Sequence, residues 1–260
     1  MKRIHLFELE DFPWFPNWIR TCLTKLIVVM HRALGSADEL TVLLSRALAA
    51  SPRPAIVDLC SGSGGPMPAV FEQLQAAGAH PELELVLTDL YPNREVAAQL
   101  NQSCIPGLSY ALDSVDATSV SPELTGVRTM VGSFHHMNPV TARRILQDAQ
   151  AGRQPICIFE LSDNSLPTPL WWISLPAIFL MSFLLTPFVR PLTWRQFVFT
   201  YLLPIVPVCF AWDGAVSNAR TYTLADLDLL LEGLPTEGYH WEKGRITGRA
   251  NKLYLLGLPA

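Results

Sequence analysis

The chain has 260 residues, enough for one α/β domain of ordinary size plus an insertion. Half of the residues are hydrophobic and only 16% are charged, against about 25% in a typical globular chain, so an excess of apolar surface must be placed somewhere. A net charge of −4 offers no basic face to nucleic acid. Five cysteines without C-x-x-C spacing or a neighbouring histidine pair point to a reducing compartment and away from structural zinc, and no metal site is expected.

Residues 4 to 18 mix Phe7, Phe12, Trp14, Phe15 and Trp18 with Glu8, Glu10 and Asp11, and Pro13 and Pro16 prevent one regular helix. The acids fall where a secretion signal needs an apolar run, so a cytoplasmic protein is expected. The segment reads either as an arm packed on the core or as a lid over a site, with Trp14 a candidate substrate contact. Residues 19 to 34 and 37 to 49 are predicted helices, with apolar stripes at Leu23, Leu26, Ile27 and Met30 and at Leu40, Leu43, Leu44 and Leu48.

From Ala55 the pattern changes. Ala55, Ile56 and Val57 suit a buried parallel strand, Asp58 ends it, Gly62, Gly64 and Gly65 permit tight turns, and Pro66 fits the first turn of a helix. A strand, a glycine loop and a helix N-terminus in that order can meet a charged small molecule. The dinucleotide fingerprint fails, because Met67 occupies its third glycine position. The spacing acid-x-G-x-G-x-G is met by Asp58, Gly62 and Gly64, with Cys60 in the first glycine slot and Ser61 beside it.

A helix over 69–78 leads to a strand over 83–89 that ends in Asp89. A carboxylate there can accept from both hydroxyls of a ribose, with Leu90 and Tyr91 alongside. A helix over 93–102 and a strand over 108–112 precede Asp116 and Ala117, with Asp113 as a local competitor. A fourth strand over 127–134 opens onto Phe134, His135 and His136. A helix over 140–150 is followed by a fifth strand over 155–160 that ends in Glu160. This alternation predicts a doubly wound, mostly parallel sheet, and Asp58, Asp89, Asp116, His135 and Glu160 all fall at its carboxyl edge, where ligands bind in such folds.

The Asp58-to-Gly64 motif, with Asp89 and Asp116 after the next two strands, resembles class I S-adenosylmethionine-dependent methyltransferases over residues 55 to 160. The resemblance implies a seven-stranded Rossmann-like sheet closed by a terminal antiparallel strand. A helix over 223–231 and paired strands over 239–245 and 252–258 fit that ending. It further implies S-adenosyl-L-methionine as cofactor. Asp58, Cys60, Ser61, Gly62 and Gly64 would surround its methionine end, Asp89 its ribose, and Leu90, Asp116 and Ala117 its adenine, with Phe134 also in contact. Where the acceptor is a hydroxyl or an acidic carbon, a general base helps; His135 is the first candidate, His136 the second, and Glu160 a second base or a partner for a substrate amine. Two rival readings stay open: an NAD-dependent oxidoreductase on the same kind of sheet, and a membrane-associated binding protein without turnover.

Between strand five and the last helix lies an apolar insertion. Residues 164 to 189 carry no charge, and a second uncharged run covers 196 to 212. Pro176, Pro187, Pro204 and Pro207 break both runs into short pieces, while Arg190, Trp194 and Arg195 suit a headgroup region. A monotopic or re-entrant contact through 168–211 on the inner face of a membrane, a roof over the substrate site, an oligomer interface and true spanning are the alternatives. Leaving the sheet at its carboxyl edge, the insertion puts apolar and aromatic groups, Trp171 and Trp172 among them, near the site, which predicts a lipophilic substrate. Asp213 and Arg220, at the end of the insertion, are either a mutual ion pair or face the site, where Arg220 would anchor a carboxylate or phosphate of the substrate; Asp213, Arg220 and Tyr222 are candidate substrate contacts. The expected organisation is an arm with two helices over 1–50, an α/β domain over 51–163 and 212–260, and the insertion over 164–211.

Overall fold

The computed structural model describes residues 1–235 and 237–260. Its centre is β1 (Ala55–Asp58), every residue of which is buried, as the unbroken apolar run requires of a strand covered on both faces. β2 (Glu84–Leu87) and β4 (Val127–Val131) flank it in parallel, β3 (Leu108–Tyr110) lies outside β2, and β5 (Ile156–Glu160) lies outside β4. β7 (Lys252–Pro259) runs antiparallel to β5, and β6 (Tyr239–Ile246) closes the edge, giving the order 3-2-1-4-5-7-6. The order reverses between β1 and β4, the switch point where such sheets bind ligands. The strands and helices expected from the pattern are all present. Gly126 at φ +136° admits β4 beside β1, since a Cβ there would stand 2.4 Å from the Ala55 carbonyl oxygen.

Helices cover both faces. α2 (Ser36–Ala49), α3 (Met67–Ala76) and α4 (Arg94–Gln102) contribute Leu40, Leu44, Phe71 and Ala97 to one core; α5 (Pro139–Ala151) and, later, α9 (Leu224–Leu231) contribute Ile145, Leu146 and Leu227 to the other. Each large side chain buried here contributes roughly 1.5–3 kcal/mol. Caps fix the ends that matter for the site. Asn138 accepts from the Thr141 N–H to start α5 directly after the His135–His136 turn, and Thr223 forms a capping box with Asp226 to start α9.

A third core lies outside the sheet. It joins α1 (Asn17–Ala33) to α6 (Leu175–Leu185) and α8 (Ile205–Arg220) through Leu23, Leu26, Val206 and Phe210. α8 continues past the expected end of the insertion and delivers Asp213 and Arg220 to the sheet edge as one rigid helix. The stretch Thr168–Phe188, mean hydropathy 1.7, is long and apolar enough to cross a membrane, and only 11% of it is buried. α7 (Trp194–Tyr201) and α8 meet at 81°. Leu180, Leu184, Trp194, Phe197, Leu202 and Val208 face solvent.

Candidate active site

The loop after β1 takes a conformation that the motif's small residues make available. Cys60, Gly62, Gly64 and Gly65 all have positive φ, and a Cβ built on Gly62 or Gly65 would meet no atom within 4 Å, so the loop backbone borders open space. Asp58, by contrast, is buried. Thr129 Oγ1 donates to its Oδ1 at 2.5 Å and Ser61 Oγ to its Oδ2 at 2.6 Å, which ties the loop to β4. Burial pushes the Asp58 carboxyl up to about 7, against those two hydrogen bonds.

Asp89 sits across the loop and is only partly buried. The Gly62 N–H donates to its Oδ2 at 3.0 Å and the Tyr91 N–H to its Oδ1 at 2.9 Å, while Tyr110 Oη donates to the Gly62 carbonyl. The glycine loop and the strand-end acid are thus one unit. Asp116 is exposed and accepts from the N–H and Oγ1 of Thr118; Ala117 beside it is buried. Leu90 is exposed. Phe134 is buried, its ring 5.4 Å from that of Tyr222, in the second core, which also holds Leu59 and Cys60 of the loop.

Beyond β4 the chain makes one 3-10 turn that places His135 against Glu160 at the end of β5. Glu160 accepts from the His135 N–H at 3.0 Å and bonds to its Nδ1 at 2.8 Å, so one carboxylate fixes both the turn and the imidazole. Burial would depress this imidazole, but Glu160, supported by Glu8, outweighs it and raises the pKa above the ordinary histidine range. The His136 ring lies 4.3 Å from that of His135, tilted by 33°, and is half-buried, with its Nδ1 3.3 Å from Asp11 Oδ1.

Glu8 and Asp11 are site residues that motif reading misses. The arm runs across the carboxyl edge, pinned by Arg3, whose guanidinium donates to the carbonyls of His135, Met137 and Arg220 and to the Tyr222 hydroxyl. A short 3-10 helix, Leu9–Asp11, then delivers buried Glu8 to 3.8 Å from His135 Nε2 and 3.7 Å from His136 Nε2. Acids set among aromatics were the available signal. Asp213 and Arg220 do not pair with each other as the mutual-pair reading expected. Arg220 Nη1 contacts Glu8 at 3.0 Å and Asp11 at 2.7 Å, and Asp213 accepts the Leu9 N–H at 2.6 Å. Both charges of α8 therefore bind the arm. The guanidinium and the His136 hydrogen bond hold the Asp11 carboxyl well below its usual range, although burial opposes them.

Tyr222 is buried and donates to the Met137 carbonyl at 2.7 Å. Trp171 packs edge-on against Trp212, which in turn donates to the Phe7 carbonyl of the arm. Trp14, 67% exposed and stacked on Phe12, and Trp172, also exposed, stand outside this cluster.

The sheet order and the switch-point loop define a class I methyltransferase-like fold. Among solved structures the chain is similar to the plantazolicin methyltransferase BpumL in complex with SAH, with 12% identity, 94% of this chain and 98% of that one covered, and a TM-score of 0.53. It is also similar to the mitomycin 7-O-methyltransferase MmcR (16%, 88% and 54%, TM-score 0.50) and to a putative Zn-dependent alcohol dehydrogenase from Rhodobacter sphaeroides (13%, 86% and 90%, TM-score 0.50). At such identities the likeness is one of fold. No protein-family model and no curated protein matches the chain.

Proposed function

We propose that the protein is an S-adenosylmethionine-dependent methyltransferase acting on a lipophilic small molecule, with the reaction at the carboxyl edge beneath the arm. The observation that carries this reading is the coupling of the Gly62 backbone to Asp89, next to open space and on the same edge as a buried histidine–glutamate pair. The donor set fits the cofactor: Asp89 has lone pairs left for a ribose diol, and the positive-φ backbone at Gly62 and Gly65 leaves room for close approach. SAH in the complex with the plantazolicin enzyme belongs to that enzyme, and the same cofactor is proposed here.

S-adenosylmethionine brings an activated methyl group, so the protein's main tasks are orientation and proton removal. Asp58 keeps Ser61 and the loop in place, and Asp89 with Asp116 orients the nucleoside. Glu160 fixes the His135 tautomer through Nδ1, leaving Nε2 directed at the cluster to take a proton from an acceptor hydroxyl, a service worth roughly 10²–10⁴ in rate. The arm excludes water while in place and has to move for substrate entry, because it buries His135.

The lipophilic class rests on the exposed apolar faces of α6, α7 and the start of α8, which we assign to monotopic membrane contact on the cytoplasmic side. Arg195 lies 5.6 Å over the Trp194 ring there, a pairing suited to headgroups. An oligomer interface through the same helices is the competing occupant. Purified protein should bind S-adenosylmethionine in calorimetry and not NAD, the rival that the dehydrogenase neighbour keeps in view, and should transfer labelled methyl into a lipid extract. It should also pellet with anionic liposomes, and replacing Leu180, Leu184 and Phe197 with Ser should abolish pelleting. Cofactor binding without turnover on any extract would favour the binding-protein reading, and binding of NAD alone would sink the proposal.

A further inference from the structure

We propose that Glu8, His135 and His136 form a site for a divalent transition-metal ion of the zinc type, which holds and activates the acceptor oxygen. The role of the ion rests on the methyl-transfer reading above; the ion site itself does not.

The three candidate ligand atoms lie within 4.8 Å of one another, with Glu8 Oε1 3.8 Å from His135 Nε2 and Glu8 Oε2 3.7 Å from His136 Nε2. Bonds of about 2.0–2.2 Å to one ion place its ligand atoms roughly 3.0–3.6 Å apart, so each Glu8–histidine separation needs to close by about 1 Å or less and no separation by more than about 1.8 Å. Both imidazoles are already oriented for the task. Glu160 stands at Nδ1 of His135 and Asp11 at Nδ1 of His136, the carboxylate–histidine arrangement that leaves each Nε2 free to ligate. His135 Nε2 is buried without a hydrogen-bond partner and has Glu8 Oε1 3.8 Å away, while Glu8 Oε1 is held by Arg220 Nη1 at 3.0 Å.

Charge points the same way. Glu8, Asp11 and Glu160 bring three carboxylates; Arg220 pairs with Glu8 and Asp11, and Glu160 is met by the His135 imidazole. When Glu8 turns to an ion, Arg220 keeps Asp11 at 2.7 Å. Two imidazoles and one carboxylate select zinc, cobalt or iron(II) over magnesium or calcium, which want oxygen. Three protein ligands leave a position for substrate oxygen. There the ion lowers the pKa of the acceptor hydroxyl: the O–H bond breaks, the proton leaves to water, and the anionic oxygen stays on the ion. His135 then acts by holding the ion, and proton removal passes from its Nε2 to the ion's charge.

The test uses the full chain stripped with EDTA, titrated with Co²⁺ by visible absorption and with Zn²⁺ by calorimetry, without cofactor. One ion per chain is expected. Glu8→Gln and His136→Ala should each weaken binding at least tenfold, and Glu160→Gln, a positioning change, by about 10- to 100-fold. S-adenosylmethionine binding measured on the same samples should stay constant, which reports folding and separates this site from the cofactor reading. Wild-type crystals soaked in Co²⁺ should give an anomalous peak between the three residues. Absence of one-to-one binding, affinity unchanged in the variants, or a peak elsewhere overturns the site. Metal binding without any cofactor binding would keep the site and remove its catalytic role.

Discussion

The two halves of the carboxyl edge are built on different principles. The Asp58–Asp89 half comes from short-range spacing: one loop, one strand end, and hydrogen bonds that close on the backbone at Gly62. The His135–Glu8 half draws its members from the arm, from the ends of β4 and β5, and from the far end of α8. A cradle for a nucleoside needs backbone shape, which a few glycines encode locally. A reactive cluster needs desolvated charge, and several elements must converge to compensate it.

If the halves are independent, each should fail alone. His135→Ala should reduce methyl transfer about 10²- to 10⁴-fold while the dissociation constant for S-adenosylmethionine stays within about twofold. A parallel loss of cofactor affinity would break the division. Arg220→Met should cost stability of roughly 3–5 kcal/mol, read as a fall in urea midpoint, because Glu8 and Asp11 lose their buried cation. Adding Glu8→Gln to that variant should restore part of the loss, since a buried pair removed together costs less than one partner left behind. Asp89→Ala is the converse of the first change: cofactor affinity should drop about 10- to 100-fold, some 1.4–2.8 kcal/mol. The urea midpoint should barely move, as Asp89 is partly exposed.

The same division decides what was legible in the sequence. The strand–helix alternation from 55 to 160 and the terminal hairpin carry period and punctuation, and the sheet matches them strand for strand. Asp58, Asp89, His135 and Glu160 could be placed on one edge because strand ends are local facts. What Asp58 does there could not: its burial under Thr129 and Ser61 depends on neighbouring strands, and it secures the loop from inside. Glu8 was unreadable for a related reason. Nothing in residues 4 to 18 says which acid turns inward; Arg3 on the His135 and Met137 carbonyls and Asp213 on the Leu9 N–H decide it. Asp213 and Arg220 were recognised as charges beside an apolar stretch that need partners, and a mutual pair was one reading, but the partner is the arm.

The smallest expected effect concerns the point where the arm docks on α8. Burial pushes the Asp213 carboxyl up to about 7, with Glu8 and Asp11 adding to it and the Leu9 N–H opposing. An unfolded Asp releases its proton near pH 4 and the folded one near 7, so between those values the folded state binds more protons. Stability at this position therefore falls as pH rises from 4 to 7, and the full cost is present above 7. Asp213→Asn keeps an acceptor for the Leu9 N–H and removes the acid. It should raise thermal stability by the equivalent of about 1–2 kcal/mol at pH 8, by less at pH 6, and by nothing at pH 4. Melting temperatures at the three pH values check this. A gain independent of pH would mean that Asp213 is ionised in the folded arm throughout, and the docking point would then not be the pH-dependent element that joins the arm to the sheet.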